Sequence, residues 1–224
     1  MQAQPDYSII REEKFMSLVV TIGRQYGSAG KDVGMKIAKA LDIPFYDKEL
    51  VNLAAKKGNY SEEALKHVDE KATNSLLYSL ASGNYSMHGI NSTMYFDMPI
   101  NDKLFIAQSE VIKEIALKGD CVIVGRSADY VLEQVPQVDV LSVFVYAPFD
   151  FRMKRVKEAY GYTDSKARDA VKRTDKQRRT YYEYYTNNDW GSMLTYDLCL
   201  NTEALGIDEA AKLVISYIKS RYNK

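Results

Sequence analysis

A short apolar run, a glycine-bearing turn and an amphipathic segment together constrain the fold of this chain more than any other feature. Residues 18–23 read LVVTIG, a β-branched run typical of a buried strand. Residues 31–41, KDVGMKIAKAL, place their apolar side chains on one helical face. The turn between them contains Gly27 and Gly30. The sequence therefore predicts a strand, a tight turn and a helix, the unit from which parallel sheets are built.

Apolar runs and helical patterns alternate along the rest of the chain. We expect four further strands, at residues 44–47, 121–125, 141–146 and 196–200. We expect further helices at residues 47–57, from 61 to about 80, 102–117, 149–160, 164–185 and 207–221. Residues 1–16 are predicted to form a loose arm, and residues 82–101 a loop or lid. This alternation predicts an α/β domain with a parallel sheet covered by helices on both faces.

The composition excludes several classes of protein. Lys+Arg and Asp+Glu both number 30, which argues against a duplex nucleic-acid binder. The N-terminus is mixed and charged, unlike a signal peptide, and no apolar run reaches the roughly 18 residues that span a bilayer. Cys121 and Cys199 lie in apolar runs, as expected of buried cysteines in a reducing compartment. We therefore expect a cytoplasmic protein with no membrane partner, whose apolar, tyrosine-rich composition allows a homodimer.

The turn after the first strand is similar to the phosphate-binding pattern G-x-x-x-x-G-K-[ST]. Gly30 and Lys31 supply the glycine and lysine, whereas Gln25 replaces the leading glycine and Asp32 replaces Ser/Thr. Backbone N–H groups and the helix dipole would converge there on phosphate, which the lysine would neutralise. Asp32 could ligate Mg²⁺ or repel phosphate. The alternative is an ordinary tight turn with a solvated lysine.

Three polar side chains follow other predicted strands, where ligands bind in open α/β sheets. Arg126 ends DCVIVGR and would direct a phosphate-binding fork into the crevice that holds Lys31, unless it caps a helix or pairs with a surface carboxylate. Asp129 lies nearby and could contact a sugar or base. Asp47 could position an acceptor hydroxyl, help hold Mg²⁺, or cap the next helix. Val124 stands where a metal-orienting Asp is often found.

An arginine-rich stretch follows the fourth predicted strand. Residues 151–190 contain Arg152, Arg155 and Arg178, a bias that favours a lid closing arginines over transferring phosphates. Ordinary charged helices are the alternative. The tyrosines at 181–185 and Trp190 could stack on a base, although such aromatics more often belong to a core or an interface.

Six segments together resemble the cytidylate kinase-like family, a branch of the P-loop nucleoside monophosphate kinases. They are TIGRQYGSAGKDVGMKIAKAL, FYDKEL, CVIVGRSADYVL, VFVYAPFDFRMKRV, TDKQRRTYYEYYTNNDWG and YDLCLNTEALGIDEA. The resemblance covers roughly residues 17–220. It implies a P-loop NTPase fold with a five-stranded parallel sheet in the order 2-3-1-4-5 and helices on both faces. It further implies an arm at 1–16 and a kinase domain at 17–224, with an acceptor-binding insert at 58–101 and the arginine-rich lid at 151–190.

The resemblance implies phosphoryl transfer from Mg²⁺-ATP to a small-molecule acceptor, such as the nucleoside monophosphate CMP. The ATP-binding residues would be Gly27, Ser28, Ala29, Gly30, Lys31 and Asp32, with Asp32 also a candidate metal ligand. The residues acting in transfer would be Lys31, Arg126, Arg152, Arg155 and Arg178. The acceptor would contact Asp47, Arg126, Asp129 and Asp175. Two alternatives stay open: a nucleotide-binding regulator with weak or no catalysis, and a kinase of a different metabolite.

Overall fold

The computed structural model describes residues 16–57 and 100–222. All but the last residue of the predicted arm, the whole predicted helix from 61 to about 80, and all but the last two residues of the predicted loop lie outside the described residues. Of the acceptor-binding insert, only residues 100 and 101 are described.

Five strands and eight helices alternate along the described chain. The strands are β1 Ser17–Arg24, β2 Phe45–Tyr46, β3 Cys121–Val124, β4 Val138–Tyr146 and β5 Leu198–Asn201. The helices are α1 Gly30–Leu41, α2 Glu49–Lys57, α3 Ile100–Lys118, α4 Ala128–Glu133, α5 Phe149–Tyr160, α6 Asp164–Thr186, α7 Thr202–Leu205 and α8 Ile207–Tyr222. Within these described ranges, no helix is both long enough and apolar enough to cross a membrane.

The strands form one sheet in the order β2-β3-β1-β4-β5, and every neighbouring pair is parallel. This confirms the predicted architecture and order. Val19 of β1 pairs with Cys121 of β3 and with Val140 of β4, so β1 lies at the centre of the sheet. All five carboxyl ends face the same edge, which brings together the turns that follow β1, β2 and β3.

Each face of the sheet carries its own apolar core, because side chains alternate along a strand. Val19 and Ile123 pack on one face with Ile112 of α3. Val20 and Ile22 pack on the other face with α1 and α8. The helices α5 and α6 share a separate small cluster that includes Val156 and Ala167. The arginine-rich segment is thus a helical hairpin with its own packing, attached to the end of β4.

Element boundaries differ from the sequence predictions where the local pattern is weak. β4 begins at Val138 instead of residue 141, because the polar Asp139 interrupts the apolar run that sequence reasoning relied on. The helices α4 and α7 were not predicted, since six and four residues are too few to display a helical period. β2 is a strand of two residues, shorter than the predicted 44–47.

Candidate functional site

The loop between β1 and α1 has the backbone geometry of an anion-binding turn. Gly27 has φ of 81° and Ala29 has φ of 63°, and α1 begins directly afterwards at Gly30. Left-handed residues in such a turn aim successive N–H groups inward, and the helix N-terminus adds positive potential. The left-handed conformation costs an alanine about 1–2 kcal/mol, so contacts with the rest of the protein hold Ala29 in it.

Ser28 anchors this loop through its side chain. Its Oγ is fully buried and lies 2.9 Å from the carbonyl oxygens of both Gln25 and Val145. The Thr202 hydroxyl donates to the Ser28 carbonyl at 2.7 Å. The Ser28 N–H also donates to the Gln25 carbonyl, at 3.3 Å, so Ser28 maintains the shape of the loop.

Lys31 is held by a carboxylate that directly follows β2. Its Nζ lies 3.0 Å from Oδ2 of Asp47, and Nη2 of Arg24 lies 3.8 Å from Oδ1 of the same carboxylate. The hydrogen bond to Asp47 raises the pKa of Lys31, so the lysine stays protonated. Asp47 follows β2 as predicted, but its carboxylate lies between two cations, and its N–H donates to Glu49 of α2.

Asp32 faces α5, the first helix of the arginine-rich hairpin. Its Oδ2 accepts a hydrogen bond from Nη2 of Arg155 at 2.9 Å, and both side chains are about one third exposed, at 39% and 33%. The pair joins the first turn of α1 to α5. This partner was not foreseen, since Arg155 lies 123 residues away in the sequence.

Two residues of the α5–α6 hairpin, Arg152 and Asp175, hold the loop between β1 and α1. Oδ1 of Asp175 accepts the Tyr26 N–H at 2.7 Å, and its Oδ2 accepts from Arg152. The Arg152 guanidinium also donates to the carbonyls of Tyr26 and Ala147. Arg152 was predicted to act on phosphate and Asp175 on the acceptor, whereas the structure gives both side chains to the loop backbone. Arg178, from the same hairpin, donates to the Arg24 carbonyl at 3.2 Å.

A pocket opens beside the loop, at the carboxyl ends of β1 and β3 and under α6. It has about 450 Å³ of empty space, including the part open to solvent. Its charged and polar lining residues are Thr21, Arg24, Arg126, Ser127, Asp129 and Arg178, and its aromatic ones are Tyr181, Tyr182, Trp190 and Tyr196. Arg126 and Asp129, both predicted as acceptor ligands, thus line one pocket.

The backbone that carries Arg126 is unusual. Gly125, Arg126 and Ser127 have φ of 76°, 62° and 50°, three consecutive left-handed residues between β3 and α4. The two non-glycine residues each cost about 1–2 kcal/mol. Such strain accumulates at sites where it positions a functional side chain. Arg126 is 7% exposed and faces the pocket.

The pocket also contains buried polar groups. Among the described residues, the Thr21 and Ser127 hydroxyls have no hydrogen-bond partner, although both line the pocket. The Asp129 carboxylate accepts from Tyr182 Oη at 2.6 Å. Burial raises the pKa of Asp129, and the hydrogen bond from Tyr182 opposes this only in part. A polar ligand or ordered water in the pocket would give these two hydroxyls a hydrogen-bond partner.

The aromatic residues of α6 divide into two groups. Tyr182 packs with Phe144 and Tyr196 in a buried cluster that Trp190 covers, and this cluster forms a wall of the pocket. Tyr185 stacks on Phe105 of α3, with ring centroids 4.0 Å apart, and serves the core. Of these aromatic residues, Tyr182 therefore lines the pocket, whereas Tyr185 belongs to the core.

The residues present do not fit a divalent cation held by the protein in the usual P-loop manner, by a loop Ser/Thr and a strand-end Asp. Asp32 replaces the hydroxyl and pairs with Arg155. Val124 replaces the aspartate and is 1% exposed in an apolar cluster. The described residues contain no group of three His, Cys, Asp or Glu that could bind a metal. Asp32 as a metal ligand stays a prediction that this geometry does not favour.

A parallel sheet in this order, with a glycine-containing loop and a lysine at the start of the first helix, is the architecture of the P-loop NTPase fold. A shikimate kinase from Bacteroides thetaiotaomicron shares the fold at 12% identity, with a TM-score of 0.52 over 90% of this chain and 98% of that one. The chain belongs to the cytidylate kinase-like family, whose model matches residues 19–204.

The individual proteins that resemble this chain do so at low sequence identity. A cytidylate kinase from Staphylothermus marinus is 27% identical over 107 residues, 47% of this chain and 58% of that protein. A cytidylate kinase from Methanoregula boonei is 30% identical over 123 residues, 54% of this chain and 63% of that protein. Both matches thus span less than two thirds of the relative. The solved structure of an uncharacterized Eubacterium ventriosum protein is 27% identical, with a TM-score of 0.66 over 91% of this chain and 99% of that one.

Proposed function

We propose that this chain is an ATP-dependent kinase that transfers a phosphoryl group to a nucleoside monophosphate such as CMP. The proposal rests on one observation: the Gly27–Lys31 loop and the pocket containing Arg126 and Asp129 share the same edge of the sheet. A donor phosphate on the loop and an acceptor in the pocket would then be neighbours. The two relatives named cytidylate kinase support this choice of acceptor.

In the proposed reaction, the bond from the γ-phosphorus to its bridging oxygen breaks and its electron pair stays on ADP. A new bond forms between that phosphorus and an oxygen of the acceptor phosphate. Phosphoryl transfer needs positioning and charge neutralisation more than covalent help. Lys31 would neutralise the donor, Arg126 would hold the acceptor phosphate, and Arg155 and Arg178 would approach from the lid. Arg152 would position the loop through its backbone contacts.

A panel of acceptors tests the proposal. ADP release would be measured with ATP and each common nucleoside monophosphate, and with non-nucleotide sugars and hydroxy acids. We expect CMP to give the highest kcat/KM. A metabolite outside the nucleotide class that exceeds every nucleoside monophosphate would reassign the acceptor.

A second candidate function is nucleotide-dependent regulation without efficient catalysis. The observation that favours it is the pairing of loop charges within the protein, Lys31 with Asp47 and Asp32 with Arg155. ATP binding without ADP release for any acceptor would support this function over the kinase.

Replacing Lys31 by alanine is expected to weaken ATP binding at least about tenfold, or about 1.4 kcal/mol. The lysine is the charge at the start of α1, and its side chain is 52% exposed, so the change should leave the fold intact. Calorimetric titration with ATP measures the effect. Lys39→Ala, at the exposed end of the same helix, is the matched control. Equal affinities for the two variants would remove Lys31 from the nucleotide site.

Replacing Asp129 by asparagine is expected to weaken acceptor binding at least about tenfold while leaving the protein as stable or more stable at pH 7. A carboxyl pKa raised by folding means that stability declines as pH rises from the ordinary aspartate value towards the raised one. The amide has no such penalty. Thermal unfolding and CMP titration give the two measurements.

Asp169→Asn, an exposed change on α6, is the control for that variant. A lower melting temperature with unchanged CMP affinity would mean that Asp129 serves the fold and not the acceptor.

A further inference from the structure

The residue directly after β5 contacts the loop between β1 and α1. Thr202 is 1% exposed, and its hydroxyl lies 2.7 Å from the Ser28 carbonyl oxygen and 3.3 Å from that of Tyr146, the last residue of β4. A hydroxyl has one proton to donate, so the shorter contact, with Ser28, is the stronger one. Because β4 lies between β1 and β5, this hydrogen bond reaches from the end of β5 across the end of β4 to the loop.

The Thr202 hydroxyl is not needed to begin α7. Oδ1 of Asn201 accepts the N–H groups of Glu203 and Ala204, which is the usual N-cap arrangement. The hydroxyl of Thr202 instead bonds to carbonyls of other elements, and its contact with Ser28 spans 174 residues of sequence. Its partner is therefore the loop and not its own helix.

This contact sets the direction of the Ala29 N–H. The peptide between Ser28 and Ala29 is trans, so the carbonyl of the first residue and the N–H of the second point in opposite directions. With the Ser28 carbonyl held by Thr202, the Ala29 N–H points away from β5. Ala29 is 8% exposed, and no group in the described part of the chain accepts its N–H. A buried N–H needs a partner, which a bound anion would supply.

A second peptide of the loop is oriented in the same way. Arg152 donates to the Tyr26 carbonyl at 3.2 Å, so the Gly27 N–H points away from the guanidinium. Within residues 16–57 and 100–222, this N–H also has no acceptor. Gly27 and Ala29 are the two left-handed residues of the loop. Arg152 and Thr202, from opposite ends of the lid and sheet, thus hold alternate carbonyls outward and leave alternate N–H groups for a ligand.

We propose that Thr202 is a positioning residue of the donor phosphate site. Its hydroxyl holds the Ser28 carbonyl, so that the Ala29 N–H is available to a phosphate oxygen. Without the hydroxyl, the peptide between Ser28 and Ala29 can rotate and take the N–H with it. The proposal rests on the proposed nucleotide-binding function, and it assigns to that function a residue of β5 and α7 that acts through the loop backbone without touching the nucleotide.

Thr202→Val tests this role, because valine has the shape of threonine without the hydroxyl. In calorimetric titrations of the whole chain with Mg²⁺ present, we expect ATP and tripolyphosphate each to bind at least about tenfold more weakly. CMP affinity should stay within about threefold, because other residues line the pocket that holds Arg126 and Asp129. Thr202→Ser, which keeps the hydroxyl, should return both polyphosphate affinities to within about threefold of the native values.

Thr186→Val is the matched control. The Thr186 hydroxyl is also buried and also donates to a carbonyl, that of Tyr182 at 2.8 Å, but it does so within α6. This variant should lose thermal stability as Thr202→Val does and keep both polyphosphate affinities within about threefold.

Tripolyphosphate affinity that is the same in Thr202→Val and in the native chain would overturn the proposal. If ATP alone bound more weakly, the hydroxyl would act at the nucleoside; if neither did, it would serve only the fold. A native chain that binds ATP but not tripolyphosphate would also overturn it. These results leave the proposed function standing, whereas a native chain that binds neither ligand would overturn both.

Amide NMR of the native chain decides the matter if Thr202→Val does not fold. Saturation with tripolyphosphate should move the amide proton resonances of Gly27 and Ala29 downfield, because each N–H gains an anionic acceptor. An Ala29 resonance that does not move would overturn the proposal.

Discussion

Replacing Arg126 by alanine is expected to lower kcat/KM for phosphoryl transfer at least about 100-fold, or about 2.7 kcal/mol. The side chain is 7% exposed and lines the pocket with Asp129, so an acceptor phosphate held there would lose a charge-assisted, two-pronged contact. The measurement is steady-state turnover with whichever nucleoside monophosphate reacts fastest. Acceptor titration by calorimetry separates lost binding from lost transition-state stabilisation.

Arg126→Lys provides the matched comparison. Lysine keeps the charge but lacks the planar fork, so its turnover should fall between the native and alanine values. Lysine and alanine bear a similar backbone cost at φ of 62°, because neither is glycine. A difference between them therefore reports on the side chain alone. Turnover of the alanine variant within about threefold of the native value would place the acceptor phosphate elsewhere.

The sequence predicted the fold well because its strongest signals are local. The run LVVTIG, the turn after it and the amphipathic KDVGMKIAKAL lie within 24 residues and specify β1, the loop and α1 without reference to the rest of the chain. Strand order came from a family resemblance and is confirmed. The elements that were missed, α4 and α7, are too short for periodicity to identify, and the start of β4 was placed too late because Asp139 interrupts its apolar run.

Part of the candidate site could likewise be proposed from local sequence patterns. Lys31 and Arg126 could be proposed from the sequence because each directly follows a recognisable strand or loop motif. Arg24 ends β1 and lines the pocket, but the path of its side chain depends on Gly125, 101 residues away in the sequence. The ion pair between Arg155 and Asp32 depends on how α5 packs against α1. No local sequence pattern predicts this packing.

Breaking the contact between Arg152 and Asp175 is expected to reduce the free energy of unfolding by about 3 kcal/mol, near the low end for a buried ion pair that loses one partner. The two side chains are 7% and 17% exposed. Asp175→Asn and Arg152→Met each leave a buried group without its opposite charge. For a chain of this size, the melting temperature should fall by about 6–12 °C. Differential scanning calorimetry measures the change.

The neighbouring pair on the same helix supplies the control. Arg155→Met removes the ion pair with Asp32, but those side chains are 33% and 39% exposed, so solvent screening limits the loss of stability to about 1 kcal/mol or less. A second consequence separates the two pairs. Asp175 accepts the Tyr26 N–H and Arg152 donates to the Tyr26 carbonyl, so breaking their contact should also loosen the phosphate loop and weaken ATP binding. Similar melting temperatures for Arg152→Met and Arg155→Met would contradict this role of the Arg152–Asp175 pair. The burial of the pair and its contacts with the loop would then add nothing to stability.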